Sequence, residues 1–233
     1  VSIHYYRTGG EKPPFILLHG ATDNGLCWMP LAEFLSINYD VIMVDAQGHG
    51  KSDRLGRDFQ FSDHARQVVE LVKQLGISQP IIMGHSMGAG TTVNIAVEYP
   101  DVPKAIILED PAWMEPSREA AANDRQIRED FARRQEKIQA QTIEEIMADG
   151  RRENPTWSEA ELKPWAESKK QYDPSLFSVL RIDRPTYREL VPRIKCPALL
   201  ITAENGIVRP EVAANAKILW KSKHPFTWVK IDG

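Results

Sequence analysis

Pro80-Ile81-Ile82-Met83-Gly84-His85-Ser86-Met87-Gly88-Ala89-Gly90 is the stretch that decides how this chain folds. A short apolar run suited to a strand enters G-x-S-x-G, and the small residues after it continue as a helix ending near Tyr99. A serine lifted out of a sheet on a sharp strand-to-helix turn sits in strained backbone, so the residues flanking it must shrink to glycine. Gly84 and Gly88 meet that need. The turn exposes the hydroxyl and aims the start of the next helix at it, which favours negative charge developing on a bound carbonyl oxygen. The five-residue pattern also arises by chance as a mere turn serine, but the strand before it and the helix after it are the context the chemistry demands. Ser86 is the expected nucleophile.

A second element agrees. Leu17-Leu18-His19-Gly20-Ala21-Thr22 follows another strand-like run. A backbone N–H from such a loop completes an oxyanion hole with the N–H of the residue after the nucleophile, which nominates Ala21 and Met87. His19, at the mouth of that strand, is expected to brace the loop rather than to act as a base. His85 is expected to point away from the reaction along the elbow.

Working outward, short apolar runs closed by turn residues recur at Phe15 to Leu18, Val41 to Val44, Ile81 to Met83, Ala105 to Leu108, Ala198 to Ile201 and Phe226 to Ile231. Helical segments lie between them, the signature of an α/β fold with a mostly parallel sheet flanked by helices. Ser62 to Leu75 carries Val68, Val69, Leu71, Val72 and Leu75 on one stripe and stops at Gly76, while Pro210 to Lys221 opens with proline at a helix start. The alternation breaks between Pro111 and Pro197, where charges of both signs take helical periodicity. We expect a helical cap inserted before the last two strands, with residues 112–196 as cap and 1–111 plus 197–233 as core. Within it, Thr142 with Glu145 and Ser158 with Glu161 form capping boxes, Trp157 is placed to staple onto Leu162, and Gly150 is placed to end a helix.

The chain has 233 residues, 42% hydrophobic and 26% charged, enough for one large domain or a domain with an inserted subdomain. Its 29 basic and 32 acidic residues leave a net charge of −3 with no dense basic run, which argues against a nucleic-acid partner. Cys27 and Cys196 lack metal or redox spacing and read as two buried thiols. No apolar stretch reaches the roughly 18 residues that cross a bilayer. Localisation defaults to the cytoplasm, with any targeting segment open because the sequence starts at Val1; oligomeric state is not legible. No glycine-rich phosphate loop or dinucleotide fingerprint occurs, so neither cofactor nor metal is expected.

With His19-Gly20, Asp45-Ala46-Gln47-Gly48-His49-Gly50-Lys51-Ser52 and Gly84 to Gly88, the chain resembles the α/β-hydrolase superfamily over nearly its whole length outside the insert. The resemblance implies that Asp45 and His49 are structural residues of a turn. It also implies a histidine that takes the hydroxyl proton and an acid that holds the histidine ring. Two positions for the acid are known in the superfamily. Ile106-Ile107-Leu108-Glu109-Asp110-Pro111 offers Glu109 first and Asp110 second, and Thr202-Ala203-Glu204-Asn205-Gly206 offers Glu204. The histidine is implied in the loop after Phe226 to Ile231, beyond Gly233, since His224 lies before that strand at the opposite sheet end. By that reading residues 1–233 alone turn over little substrate.

The cap carries Trp113, Met114, Phe131, Ile138, Trp157, Trp165, Tyr172, Phe177 and Leu180. A small-molecule substrate with an apolar part is expected, with Trp113 the leading pocket residue, although each of these side chains also suits the cap's own core. A serine at the elbow, where dehalogenases and epoxide hydrolases of the superfamily carry a carboxylate, points to acyl transfer on an ester, lactone or related carbonyl. The alternatives are a catalytically silent binding protein on the same fold, and a carbon–carbon hydrolase or perhydrolase.

Overall fold

Alternate residues of a strand leave a sheet on opposite sides, and here both sides are covered. The computed structural model describes residues 1–113, 118–176 and 185–232, with backbone alone for 118–125, 127 and 128. Seven strands, β1 (Tyr5–Arg7), β2 (Pro14–Leu18), β3 (Asp40–Val44), β4 (Ile81–His85), β5 (Ala105–Glu109), β6 (Ala198–Ala203) and β7 (Phe226–Ile231), form one sheet in the order β1-β3-β2-β4-β5-β6-β7. All neighbours run parallel except β1, which pairs antiparallel with β3. The six strand runs read from the sequence are all present. β1 was not among them: three half-exposed residues are too few to show a period, and Arg7 is tied to β3 by a bidentate pair with Asp40.

Ile16 and Leu18 of β2 pack with Ile42, Val44 and Ile82 against the stripe Val68, Val69 and Val72 of α2 (Phe61–Gln74). Phe15 and Leu17 face the other way, with Val41, Met43 and Met83, beneath α1 (Met29–Leu35). Further along the sheet, Ile106, Leu108 and Leu200 meet α3 (Met87–Glu98) and α8 (Pro210–Leu219) in a third cluster.

Between β5 and β6 lie α4 (Arg118–Ala140), α5 (Ile143–Glu153), α6 (Glu159–Ser168) and the short α7 (Tyr187–Leu190). Both expected capping boxes form, with Thr142 N and Ser158 N each donating at 2.7 Å to the glutamate three residues on. Gly150 does not end its helix. It lies inside α5 where α6 comes closest, and a Cβ there would be 2.8 Å from the Trp165 ring and 2.9 Å from Leu162. Trp157 meets Trp165 edge-to-face. Trp113 and the run Tyr187, Leu190, Val191, Ile194 and Cys196, at the two ends of the expected cap, pack in the core with Leu108 and Val212. No described helix is long and apolar enough to cross a membrane.

Candidate active site

Ser86 leaves β4 with φ 48° and ψ −106°, left-handed backbone that a residue with a Cβ rarely adopts, and α3 starts at the next residue. Close packing holds the reversal. A Cβ on Gly84 would lie 2.2 Å from Gly88 O, and one on Gly88 would lie 2.1 Å from Leu18 O, so main chain presses on main chain. Ser86 N donates to Glu109 O at 3.0 Å, and the half-buried serine side chain makes no capping bond to α3.

β2 has β3 on one side and β4 on the other, so strand order reverses there, and open α/β sheets bind ligands in the crevice at the carboxyl ends of such strands. Ala21 follows β2 and Met87 opens α3 across that crevice. Neither N–H has a hydrogen-bond partner among the described residues. The Ala21 loop is braced from beneath. His19 bonds Gly20 O through Nδ1 at 2.8 Å and accepts from Ala46 N through Nε2 at 3.0 Å, which fixes a neutral tautomer. His49 Nε2 donates to Ala21 O at 2.8 Å. Asp45 accepts from Gly25 N, Lys51 N and His4 Nδ1. His19, Asp45 and His49 therefore hold the loop, in keeping with the roles read for them.

Burial, reinforced by His49, pushes the His19 imidazole down to about 3, and burial lowers His49 as well. The folded values lie below the unfolded one, so between them the unfolded chain binds protons that the folded chain excludes, and stability falls as pH drops below about 6.5. Urea unfolding from about pH 7 down to about pH 5 is expected to show His19 contributing a loss of up to about 1.4 kcal/mol per pH unit, with His49 acting in the same direction. A flat profile across that window would contradict it.

The three candidate acids have different surroundings. Glu204 is exposed, 3.9 Å from Lys230. Glu109 has no hydrogen bond holding its carboxylate among the described residues; burial raises its pKa, opposed by His85 and helped by Asp110. Asp110 is one residue beyond the register pair His85 and Glu109, hence beside Ser86, with a left-handed φ of 41°. Its carboxylate accepts from Ile207 N at 2.8 Å and Val208 N at 2.9 Å.

Trp113 takes a different place from the one expected of it. It is 6% exposed and stacked on Tyr187 at 5.7 Å in the core, because the chain leaving β5 turns back against α3. Met87 packs with Tyr172 and Leu176, all three buried, and the half-buried Ala21, Ala46, Leu55 and Phe61 lie against them. Tyr172 was read only as one cap aromatic among many, and Leu176 carried no periodic signal. Both belong to a strap after α6 whose Asp173 N reaches Gly48 O at 2.6 Å. Phe131 and Trp157 are exposed. Met114, Phe177 and Leu180 lie outside the described residues.

A family profile for the alpha/beta hydrolase fold matches residues 13–227. Among curated proteins, the 2-(acetamidomethylene)succinate hydrolase of Mesorhizobium japonicum is 34% identical over 104 residues, 45% of this chain and 37% of that protein. The N-formylmaleamate deformylase of Pseudomonas putida is 26% identical over 244 residues, covering 99% of this chain and 88% of that protein. In the first curated relatives, the match spans well under two thirds of the relative's own length, 37% and 40%. Among solved structures, E-2-(acetamidomethylene)succinate hydrolase superposes with a TM-score of 0.77 at 21% identity, covering 99% of this chain and 87% of that one. The enol-lactonase of Burkholderia xenovorans gives 0.67 at 20%, covering 98% and 87%. At such identities the superpositions speak for the fold alone. The profile covers most of the sequence, and the strand order is a mostly parallel sheet interrupted by a helical insert: this chain belongs to the alpha/beta hydrolase family.

Proposed function

We propose that this protein is a serine hydrolase that cleaves a small carbonyl compound through an acyl-enzyme on Ser86. The observation that carries the reading is the strained elbow at Ser86, with the Ala21 and Met87 amides across the crevice and no partner for either among the described residues. The Ser86 hydroxyl adds to the substrate carbonyl, the two amides receive the resulting oxyanion, the leaving group departs with a proton, and water releases the acyl group. His19 and His49 have both ring nitrogens on backbone groups and are not the base. In this reading the base is a histidine in the loop that continues β7, because Ile231 pairs with Ala203 at the same sheet end as Ser86.

A triad acid must stay ionised and immobile. Asp110, gripped by two amides, suits that role better than Glu109, whose burial favours the neutral form. Asp110→Asn is expected to lower kcat about 10³- to 10⁴-fold, and Glu109→Gln less than about tenfold. Steady-state rates on both variants check this, and the reverse order would return the role to Glu109.

The half-buried apolar side chains Ala21, Ala46, Leu55 and Phe61, packed on the buried Met87, Tyr172 and Leu176, support a substrate with an apolar part. The names of the relatives, hydrolases of an acetamidomethylene succinate and of N-formylmaleamate, extend the candidate bonds from esters and lactones to amide-like ones. The test is covalent labelling of Ser86 in the full-length protein by a fluorophosphonate, followed by product analysis on ester, lactone, amide and diketone substrates. Absence of labelling together with saturable binding of these compounds without product would favour the silent binding protein instead.

A further inference from the structure

The loop that carries Ala21 is gripped from above as well as from below. At the end of α6 the chain enters the strap, and Lys169 turns inward with its side chain 5% exposed. Its ammonium donates to Asp23 Oδ1 at 2.7 Å, Thr22 Oγ1 at 3.0 Å and Thr22 O at 3.1 Å, so all three protons are placed on two consecutive residues of that loop. Ser168 Oγ shares its one proton between Trp165 O at 2.6 Å and Thr22 O at 3.0 Å, and Asn24 Nδ2 donates to Gln171 Oε1 at 2.8 Å. The Lys169 ammonium also lies over the Trp165 ring, 4.8 Å from its centroid.

Asp23 is wedged in turn. Its amide closes a turn onto Gly20 O at 3.2 Å, and a Cβ on Gly20 would lie 2.7 Å from Asp23 Oδ2 and 2.9 Å from His85 Nδ1. The Asp23 carboxylate and the His85 ring therefore both lie against Gly20, the residue before Ala21. Burial opposes its charge, but the Lys169 ammonium beside it outweighs that and holds the carboxyl below its ordinary value.

We propose that Lys169 is a positioning residue for catalysis, a buried ammonium from the cap strap that fixes Thr22 and Asp23 so that the Ala21 N–H keeps its aim at the oxyanion. The inference rests on the serine reading above and adds to it a residue that touches neither substrate nor the reacting atoms. A preorganised donor loses its advantage when its loop drifts, and misplacements of about 1 Å cost on the order of a hundredfold in rate. The groups facing the ammonium are Thr22, Asp23 and the Trp165 ring, and the other titratable side chains around the pair are His19, His85 and Cys27.

The decisive variant removes both charges. Lys169→Met alone strands a partly buried carboxylate and is expected to lower Tm by roughly 5 °C. Lys169→Met with Asp23→Asn leaves no buried charge and is expected to regain most of that Tm. Hydrolysis of p-nitrophenyl acetate by the full-length double variant is nevertheless expected to show kcat down about ten- to hundredfold with KM within about threefold. Thr22→Val removes one ammonium acceptor without stranding a charge, and a kcat loss of about threefold or more at unchanged Tm is expected. A double variant that regains Tm and kcat together, or a Thr22→Val enzyme with undiminished kcat, overturns the inference. Ser86→Ala is run beside them: if it hydrolyses the ester at the wild-type rate, the serine reading falls and takes this inference with it. A dead Ser86→Ala beside a fully active double variant overturns the role of Lys169 alone.

Discussion

Ser86→Ala is expected to lower kcat/KM by about 10⁴- to 10⁶-fold, with Tm at or above that of the parent protein. The size follows from what the substitution removes: the only atom in this reading that forms a bond to the substrate, while the Ala21 and Met87 amides remain to give a small residual rate. The unaltered stability follows from what holds the elbow. Ser86 is kept at φ 48° by the close approach of Gly84 to Gly88 and of Gly88 to β2, and its side chain makes no capping bond to α3. Alanine meets the same backbone strain as serine and leaves fewer atoms in the crevice. Steady-state kinetics with a thermal melt on the same preparation checks both halves. A rate within tenfold of the parent's would remove Ser86 from the mechanism.

The second large effect is on folding. Gly88→Val is expected to abolish the folded state or to cost more than about 4 kcal/mol. The first side-chain atom would stand 2.1 Å from Leu18 O, 2.5 Å from Leu18 C and 2.8 Å from His19 O. These are backbone atoms at the exit of β2, which pairs with both β3 and β4, so relief would mean prising apart the middle of the sheet. Two residues on, in the same helix, the situation differs. A Cβ on Gly90 would meet nothing nearer than the Phe61 ring at 3.5 Å, an ordinary contact. Gly90→Ala is therefore expected to stabilise α3 by up to about 1 kcal/mol. Urea midpoints of the two variants measure the contrast, and a Gly88→Val protein as stable as the parent would show that the elbow is not pressed against β2.

That contrast shows how far local sequence reaches. Gly84, Gly88 and Gly90 look alike as letters; the G-x-S-x-G pattern distinguishes the first two by precedent, and the contact distances give the reason. Similarly, Glu109 and Asp110 are adjacent carboxylates whose order of preference changes once the loop at Ile207 and Val208 is seen to donate to Asp110. That loop is nearly a hundred residues away, and no local rule reports on it.

Trp113 illustrates the opposite error. A large aromatic directly after a strand end was expected to face substrate, but the path of the chain after β5 buries it against Tyr187. Tyr172 and Leu176 are instead the cap residues buried against Met87, because the strap after α6 is stitched to the loops at Thr22, Gly48 and Leu55. Lys169 stands in a segment of mixed charges, and nothing in its local sequence marks it as buried. Its burial depends on Asp23, 146 positions earlier.

The sequence by itself determined the alternation of strands and helices, the insert, the elbow and its serine, because each is written in residues near one another: apolar period, capping residue, small side chains at a tight turn. Only the tertiary structure decided which carboxylate is braced, which cap residues pack on Met87 and what grips the loop at Thr22 and Asp23. Those outcomes depend on distances between segments far apart along the chain, and a side chain's charge, exposure and reach are properties of the neighbours that folding brings to it.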